Sequence, residues 1–128
     1  MNTDLGLRGE TDVSELVIGA AYRVANKLGT GFLEKVYENA LSIELRRAGL
    51  AVAQQKPMEV WYDEEMVGLY QADLVINGSV VVELKAVPGL ERIHRAQCLN
   101  YLRATRIRTG LVINFGRARI EIQRVISH

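Results

Sequence analysis

Hydrophobic positions recur at helical spacing in the first part of the chain. Apolar residues follow the i, i+3, i+4 pattern over residues 13–28, which is typical of one buried helix face. Thr11 or Asp12 is expected to cap this helix, and Gly29 is expected to end it. Another helix is predicted over about residues 90–104, after Pro88-Gly89 breaks the preceding strand.

A further helix is predicted over about residues 32–48, where Gly49 ends the helix and Leu50 makes a hydrophobic contact across its end. The remaining apolar runs are short and rich in β-branched residues, which is typical of strands. Pro57 is expected to separate the first two. The predicted strands cover residues 51–54, 58–62, 67–76, 80–87 and 110–115, with a last strand around residues 120–125.

The order of these elements predicts one α/β domain with helices packed on a mixed sheet. The length of 128 residues fits a single domain, and 48% hydrophobic with 24% charged residues is an ordinary globular composition. Residues 1–10 lack the features of a signal peptide and are expected to form a mobile leader. No apolar run approaches membrane-spanning length, so we expect no membrane partner.

The chain has one cysteine, Cys98, and two histidines. This count excludes an internal disulfide, a cysteine-based zinc or iron–sulfur cluster and a multi-histidine metal site. A lone cysteine suits a reducing compartment, so we expect a cytoplasmic protein.

Three charged residues interrupt the most apolar stretch of the chain, residues 70–87. They are Asp73, Glu83 and Lys85. Charges in a valine-rich strand are costly to desolvate unless they are paired or bound to a metal. Glu83 and Lys85 lie two residues apart and therefore share one face of a strand. Two carboxylates and a lysine can hold a hard divalent cation and position a water molecule.

The loop of this predicted hairpin decides whether the two carboxylates meet. A two-residue turn at Asn77-Gly78 would place Asp73 across from Val82, on the opposite face from Glu83. A three-residue loop would place Asp73 directly across from Glu83, and a bulge with a left-handed Gly78 would also bring them to one face. We therefore predict an odd loop or a bulge.

Charge is divided unevenly along the chain, although the net charge is only +1. Residues 1–85 hold 8 Lys and Arg against 13 Asp and Glu, whereas residues 86–128 hold 8 Arg against 2 Glu. Arginine binds phosphate through its planar fork of donors. Clustering in sequence does not establish a patch in space, so phosphate binding and a solvated surface both remain open.

Polar residues share a helix face at two further places. Glu34 lies one turn from Tyr37 and Glu38, and it is alternatively a first-turn acid favoured by the helix dipole. Gln97 and Tyr101 lie one turn apart on the last helix, where Gln97 alternatively caps a strand edge and Tyr101 fills the core.

Three short motifs follow one another in an order that invites comparison with a known family. They are Gly31, Glu34 and Tyr37; Asp73 with Glu83-Leu84-Lys85; and Gln97 with Tyr101. Together they resemble the PD-(D/E)xK nuclease superfamily. The first is similar to the motif that names the GxxExxY family of small proteins, the second to the Asp…Glu-x-Lys signature, and the third to the QxxxY helix motif of RecB-like members. The resemblance covers roughly residues 12–126.

This resemblance implies a restriction-endonuclease-like core, a mixed central sheet flanked by helices, and a Mg²⁺ or Mn²⁺ cofactor. The implied metal ligands are Glu34, Asp73, Glu83 and the carbonyl of Leu84. The implied catalytic residues are Asp73, Glu83, Lys85 and Gln97. The implied substrate-binding residues are Tyr37, Tyr101, Arg92 and Arg95, with a structural role as the alternative for Tyr37.

The resulting hypothesis is a metal-dependent nuclease whose partner is nucleic acid, with DNA as the favoured substrate. The alternative is a catalytically silent module of the same fold that binds nucleic acid or a protein. The small size suits a homo-oligomer or dependence on a protein partner. Strandedness and the choice between end and interior cutting stay open.

Overall fold

The computed structural model describes residues 9–128, in which three helices and five strands form one mixed sheet with helices on both faces. The predicted α/β class is therefore confirmed. The helices are α1 (Glu10–Leu28), α2 (Glu34–Arg47) and α3 (Arg92–Thr105). The strands are β1 (Val52–Tyr62), β2 (Glu65–Ile76), β3 (Val80–Lys85), β4 (Thr109–Asn114) and β5 (Glu121–Ile126).

Helix α1 begins earlier than predicted and ends where expected. Gly9 is its N-cap, so the predicted caps Thr11 and Asp12 are wrong and lie inside the helix. An acid such as Asp12 is favoured anywhere in the first turn, so composition alone does not fix the cap. Gly29 ends α1 with a φ of 70°. Residues 1–8 of the predicted leader lie outside the described residues, and its last residue starts α1.

Helix α2 is two residues shorter than predicted at its start and ends as expected. Gly49 follows it in a left-handed conformation with a φ of 86°. The N–H of Leu50 donates to the carbonyl of Leu45 at 3.1 Å, and Leu50 is buried in the core. This confirms the predicted hydrophobic contact at the helix end.

The strands lie in the order β1-β2-β3-β4-β5. Neighbouring strands are antiparallel except β3 and β4, which are parallel and joined through α3. The two short strands predicted on either side of Pro57 are one strand, β1. That prediction is wrong because β1 lies at the sheet edge, where a proline has no second neighbour to donate to.

The loop between β2 and β3 has three residues. Ile76 pairs with Val80, so residues 77–79 form the loop, and the N–H of Ser79 donates to the carbonyl of Ile76 at 3.0 Å. Asn77 and Gly78 supply positive φ values of 52° and 67°. The predicted odd loop is confirmed, and its register brings the Asp73 position level with Glu83.

Strands β1 and β2 share an irregularity at Gln55 and Asp73. These two residues are absent from the pairing ladder although pairing continues in the same register on both sides, and Gln55 has a φ of 51°. On one side of the break, Leu74 packs with α1 and α2. On the other side, Ala72 and Tyr70 pack with α3. In a regular strand, residues 72 and 74 would face the same side of the sheet, but here they face opposite sides. Both strands therefore rotate about their own axes at this break, and Asp73 lies at the point of rotation.

Two apolar clusters fill the space between the sheet and its helices. The larger joins the sheet to α1 and α2 and includes Val17, Leu41, Leu74, Leu84 and Ile113. The smaller joins it to α3 and includes Tyr70, Ala72, Val112, Cys98 and Leu102. No helix in residues 9–128 combines the length and the apolar character that crossing a bilayer requires.

Candidate active site

Asp73 and Glu83 are joined to each other through the main chain. The N–H of Asp73 donates to Glu83 Oε2 at 3.2 Å. The N–H of Leu84 donates to Asp73 Oδ2 at 2.8 Å. Each strand therefore holds the carboxylate of the other, and the two acidic groups face one small region between β2 and β3.

Tyr70 holds Glu83 from the side of α3, a role that the sequence analysis missed. Its hydroxyl donates to Glu83 Oε2. The Tyr70 ring stacks on Tyr101, with ring centroids 3.7 Å apart and planes 4° from parallel. Tyr101, predicted to bind substrate, thus reaches the carboxylate through Tyr70. Residues three apart lie on opposite faces of a regular strand, so the sequence carried no signal for Tyr70.

The surroundings of Glu83 disfavour its ionised form. Burial and the neighbouring Asp73 carboxylate raise the pKa of Glu83 to about 7, while Lys85 opposes that shift. Burial and Glu83 also raise the pKa of the Tyr70 hydroxyl far above its usual range, so it remains a donor. A bound cation would relieve the repulsion between the two carboxylates.

Helix α2 contributes Glu38, which is only 4% exposed. Its carboxylate accepts hydrogen bonds from Lys35 at 3.1 Å and from Gln54 at 2.7 Å. The Gln55 amide bridges the two acids, donating to Glu38 Oε1 at 2.8 Å and to Asp73 Oδ1 at 3.1 Å. Helical spacing predicts that Glu38 shares a face with Glu34 but indicates no role for it, and no motif marks Gln55.

Glu34, the predicted metal ligand on α2, lies one turn from Glu38. It is exposed, and its Oε2 accepts from the N–H of Ala86 at 3.2 Å. This bond ties the first turn of α2 to the main chain directly after Lys85. Among the described residues, Glu38 rather than Glu34 is the α2 acid connected to Asp73.

The donor chemistry fits a hard cation, but the site does not bring a third carboxylate into place. Asp73, Glu83 and the Leu84 carbonyl offer oxygen ligands of the kind that Mg²⁺ and Mn²⁺ prefer. Within residues 9–128, no group of three or more His, Cys, Asp or Glu side chains has metal-binding spacing. Binding would require Glu34 or Glu38 to move toward the pair, or water to complete the shell.

The remaining predicted catalytic residues are Lys85 on β3 and Gln97 on α3. Lys85 is half-buried on β3, two residues beyond Glu83. Gln97 is exposed on α3 one turn before Tyr101, and among the described residues it donates to neither Asp73 nor Glu83.

Tyr37 has the contacts of a structural residue. Its side chain is 1% exposed, its hydroxyl donates to the carbonyl of Gly29 at 2.6 Å, and it accepts from the N–H of Phe32 at 3.3 Å. The ring stacks on Phe115 with centroids 4.6 Å apart. These contacts fix the link between α1 and α2 and offer a substrate almost no surface.

The predicted substrate arginines are both exposed on α3. Arg92 is its first residue, and Arg95 follows one turn later. One Nη of Arg95 donates to the carbonyl of Arg124 at 2.9 Å, which ties α3 to β5.

Comparison with known proteins supplies a family and a fold. The family model described as the PD-(D/E)XK nuclease superfamily matches residues 11–125. The crystal structure of a protein named SSO0001 is similar, with 22% identity and a TM-score of 0.58 over 94% of this chain. The match covers 60% of that protein's length, and at this identity it establishes the fold alone. No match was found among curated proteins.

Proposed function

Because the chain belongs to the PD-(D/E)XK nuclease superfamily, we propose that it is a metal-dependent nuclease that hydrolyses phosphodiester bonds in DNA. One observation carries the proposal. The three-residue hairpin loop sets a register in which Asp73 and Glu83 hold each other's carboxylates through the main chain. A two-residue turn at Asn77-Gly78 would have placed the two carboxylates on opposite faces of the sheet.

In this proposal, Asp73, Glu83 and the Leu84 carbonyl hold Mg²⁺ or Mn²⁺, with Glu34 as a further ligand. When bound, the cation supplies charge neutralisation at the phosphate and a more acidic water. Lys85 hydrogen-bonds the attacking water or the developing charge. Gln97 orients the substrate phosphate, while Tyr70 and Tyr101 fix the Glu83 carboxylate.

We also propose a family and a branch within the superfamily, a partner and a cellular compartment. Gly31, Glu34 and Tyr37 support membership of the GxxExxY family, and Gln97 with Tyr101 supports the RecB-like QxxxY branch. Nucleic acid is the proposed partner, and a reducing, cytoplasmic setting agrees with the single buried cysteine.

A specific observation also favours a second candidate, a catalytically silent module of the same fold that binds nucleic acid or a protein. The described residues assemble two carboxylates at the site but no group of three with metal-binding spacing. Tyr70 also occupies one oxygen of Glu83. A module that binds without cleaving would keep this hydrogen-bonded arrangement permanently.

Cleavage assays separate the two candidates. Labelled single-stranded and duplex DNA would be incubated with the wild-type protein in Mg²⁺, in Mn²⁺ and in EDTA. We expect metal-dependent cleavage that falls by at least about 100-fold in Asp73→Asn and Glu83→Gln, because each variant removes a charged oxygen ligand. The matched control is Asp63→Asn, at a turn position with a φ of 55° that asparagine accepts readily.

The control variant should cleave like the wild type. Cleavage that survives in Asp73→Asn would contradict the proposed site. Binding of DNA by folded protein with no cleavage in either metal would favour the silent module.

A further inference from the structure

Arginines line one flank of α3. With 3.6 residues per turn, Arg92, Arg95 and Arg103 fall within an arc of about 80° around the helix axis. Arg106, the left-handed C-cap residue, continues this row beyond the last turn. All four are exposed, and we call them the arginine stripe.

The stripe carries charge that the described part of the protein does not neutralise. No described carboxylate lies within 4.0 Å of any of the four guanidinium groups, whereas Arg23, Lys27, Lys35 and Arg117 each have an acidic partner. The two acids of residues 86–128 are used elsewhere: Glu91 in the cap of α3, and Glu121 with Leu90, Asn114 and Arg117.

The helix dipole does not explain the stripe. Cations are favoured in the last turn of a helix, which suits Arg103, and disfavoured in the first turn by about 0.3–1 kcal/mol. Arg92 is the first residue of α3, and its first turn contains no acid. The N-cap residue Glu91 places a negative charge beside Arg92, so the dipole accounts for Arg103 but gives Arg92 no favourable interaction.

A groove continues the stripe at the far end of α3. Its volume is about 570 Å³, and it is lined by Arg103, Arg106, Ile107, Arg108, Ser127 and His128. Three of these six lining residues are arginines. Arginine forks suit phosphate oxygens because they donate two parallel hydrogen bonds.

The other end of the stripe is fixed relative to the catalytic strand. Residues 86–91 connect Lys85 to α3. The Asn114 side chain accepts from the N–H of Val87 at 3.0 Å and donates to its carbonyl at 3.0 Å. The N–H of Leu90 donates to Glu121 Oε1 at 3.0 Å. This bracket holds the start of α3 in one position with respect to Lys85.

Charge also disfavours a path of the nucleic acid along the β1–β2 hairpin. The tip of the β1–β2 hairpin carries Asp63, Glu64 and Glu65, all exposed, and would repel a phosphate backbone. The arginine stripe would attract one. The stripe lies on the β5 flank of α3, because Arg95 donates to the carbonyl of Arg124, whereas Tyr101, which stacks on Tyr70, lies on the opposite flank. A polyanion held at Asp73 and Glu83 would therefore cross the N-terminal end of α3 to reach the stripe, and would not follow the hairpin.

We propose that the arginine stripe and Arg108 bind the phosphate backbone of the nucleic acid beyond the scissile bond. This inference rests on the proposed nuclease function and adds the position of the substrate. The fourteen residues of α3 span about 21 Å at 1.5 Å per residue. That length matches about six phosphates of one strand at ~3.4 Å each.

The test is the salt dependence of DNA binding, measured by fluorescence anisotropy in EDTA so that cleavage does not contribute. Each phosphate contact adds about 0.9 to the slope of log K against log salt for duplex DNA, and about 0.7 for a single strand. The double variant Arg103→Gln/Arg108→Gln should therefore lower the slope by about 1.8 on duplex or about 1.4 on a single strand. A drop in slope on only one of the two DNA forms would identify the form that contacts the stripe.

Two further variants keep the result interpretable. Arg46→Gln/Arg47→Gln removes the same charge from exposed positions at the end of α2 and should leave the slope within error of wild type. Arg103→Lys/Arg108→Lys keeps the charge and should retain most of the slope. Circular dichroism and thermal unfolding establish that each variant is folded.

The outcomes separate this inference from the proposed function. An unchanged slope in Arg103→Gln/Arg108→Gln, or an equal drop in the α2 control, would overturn the arginine stripe even if the wild type cleaves DNA. A reduced slope specific to the stripe, in a protein that cleaves nothing, would support the stripe and contradict the nuclease.

Discussion

Replacing Glu83 with glutamine should stabilise the metal-free protein at alkaline pH. Burial and the charge of Asp73 raise the pKa of Glu83 from its ordinary 4.5 to about 7. The unfolded chain releases this proton near pH 4.3. Because the pKa of Glu83 is higher in the folded protein than in the unfolded chain, the proton on Glu83 stabilises the folded protein. This stabilisation is fully present below about pH 4 and is lost as the pH rises through 7.

The size of the effect follows from the shift in pKa. One unit corresponds to about 1.4 kcal/mol, so a shift from 4.5 to about 7 sets an upper limit of roughly 3.4 kcal/mol. Partial solvent access of the side chain reduces this to about 2–3 kcal/mol. Glutamine has nearly the same shape, and its amide oxygen still accepts from Tyr70, so the variant should lose little packing.

The assay is urea unfolding in EDTA at pH 5 and pH 8.5, followed by circular dichroism. Glu83→Gln should gain about 2 kcal/mol relative to wild type between the two pH values. Glu59→Gln, at an exposed position of β1, is the matched control and should follow the wild type within about 0.5 kcal/mol. Added Mg²⁺ should raise the stability of the wild type at pH 8.5 and have little effect on Glu83→Gln.

Parallel curves for wild type and Glu83→Gln across this pH range would refute the reasoning. They would mean that Glu83 ionises in the folded protein as readily as in the unfolded chain. The burial and the influence of Asp73 would then lack the energetic effect assigned to them.

Three further predictions each concern a single residue. Tyr70→Phe removes a hydrogen-bond donor to a charged oxygen and should lower the free energy of unfolding by about 1.5–3 kcal/mol at pH 8.5. A free energy of unfolding equal to that of the wild type would contradict this prediction. Gly116→Ala places a methyl group 2.2 Å from the carbonyl oxygen of Val87 and should cost about 3 kcal/mol or more, whereas Gly68→Ala, with no atom within 4 Å, should be near neutral. Cys98 is 2% exposed and its pKa is raised to about 12, so a disulfide reagent should label it only as fast as the protein unfolds. Rapid labelling of native protein would contradict that burial.

The central hairpin was predictable because charge and register constrain each other. Asp73 and Glu83 interrupt an apolar stretch, and their desolvation is tolerable only if they share surroundings. Only an odd loop or a bulge achieves this, and the pairing of Ile76 with Val80 confirms the three-residue loop. Helix ends at Gly29 and Gly49 were equally readable, since both residues adopt the positive φ that favours glycine.

Strand boundaries were less predictable because they depend on neighbours. Pro57 is a strand breaker in the interior of a sheet, but β1 lies at the edge. Strand β3 ends at Lys85 instead of residue 87, because Val87 bonds to the Asn114 side chain and not to a strand. Neither fact is visible before the order of strands is known.

The residues that support the site were the hardest to foresee. Tyr70 reaches Glu83 across 13 positions of sequence, and Gln55 reaches Asp73 across 18. Gln55 also bonds to Glu38 on α2, so three elements meet at one amide. The paired break in β1 and β2 leaves their register unchanged, so no pattern of hydrophobic positions records it.

The most direct test of the central claim is the position of a bound cation. Crystals grown or soaked with Mn²⁺ would be measured for its anomalous scattering. The account predicts one peak within about 2.0–2.4 Å of carboxylate oxygens from both Asp73 and Glu83, close to the Leu84 carbonyl. A peak elsewhere in the protein, or no peak in crystals saturated with Mn²⁺, would contradict the assignment of this pair as the metal site.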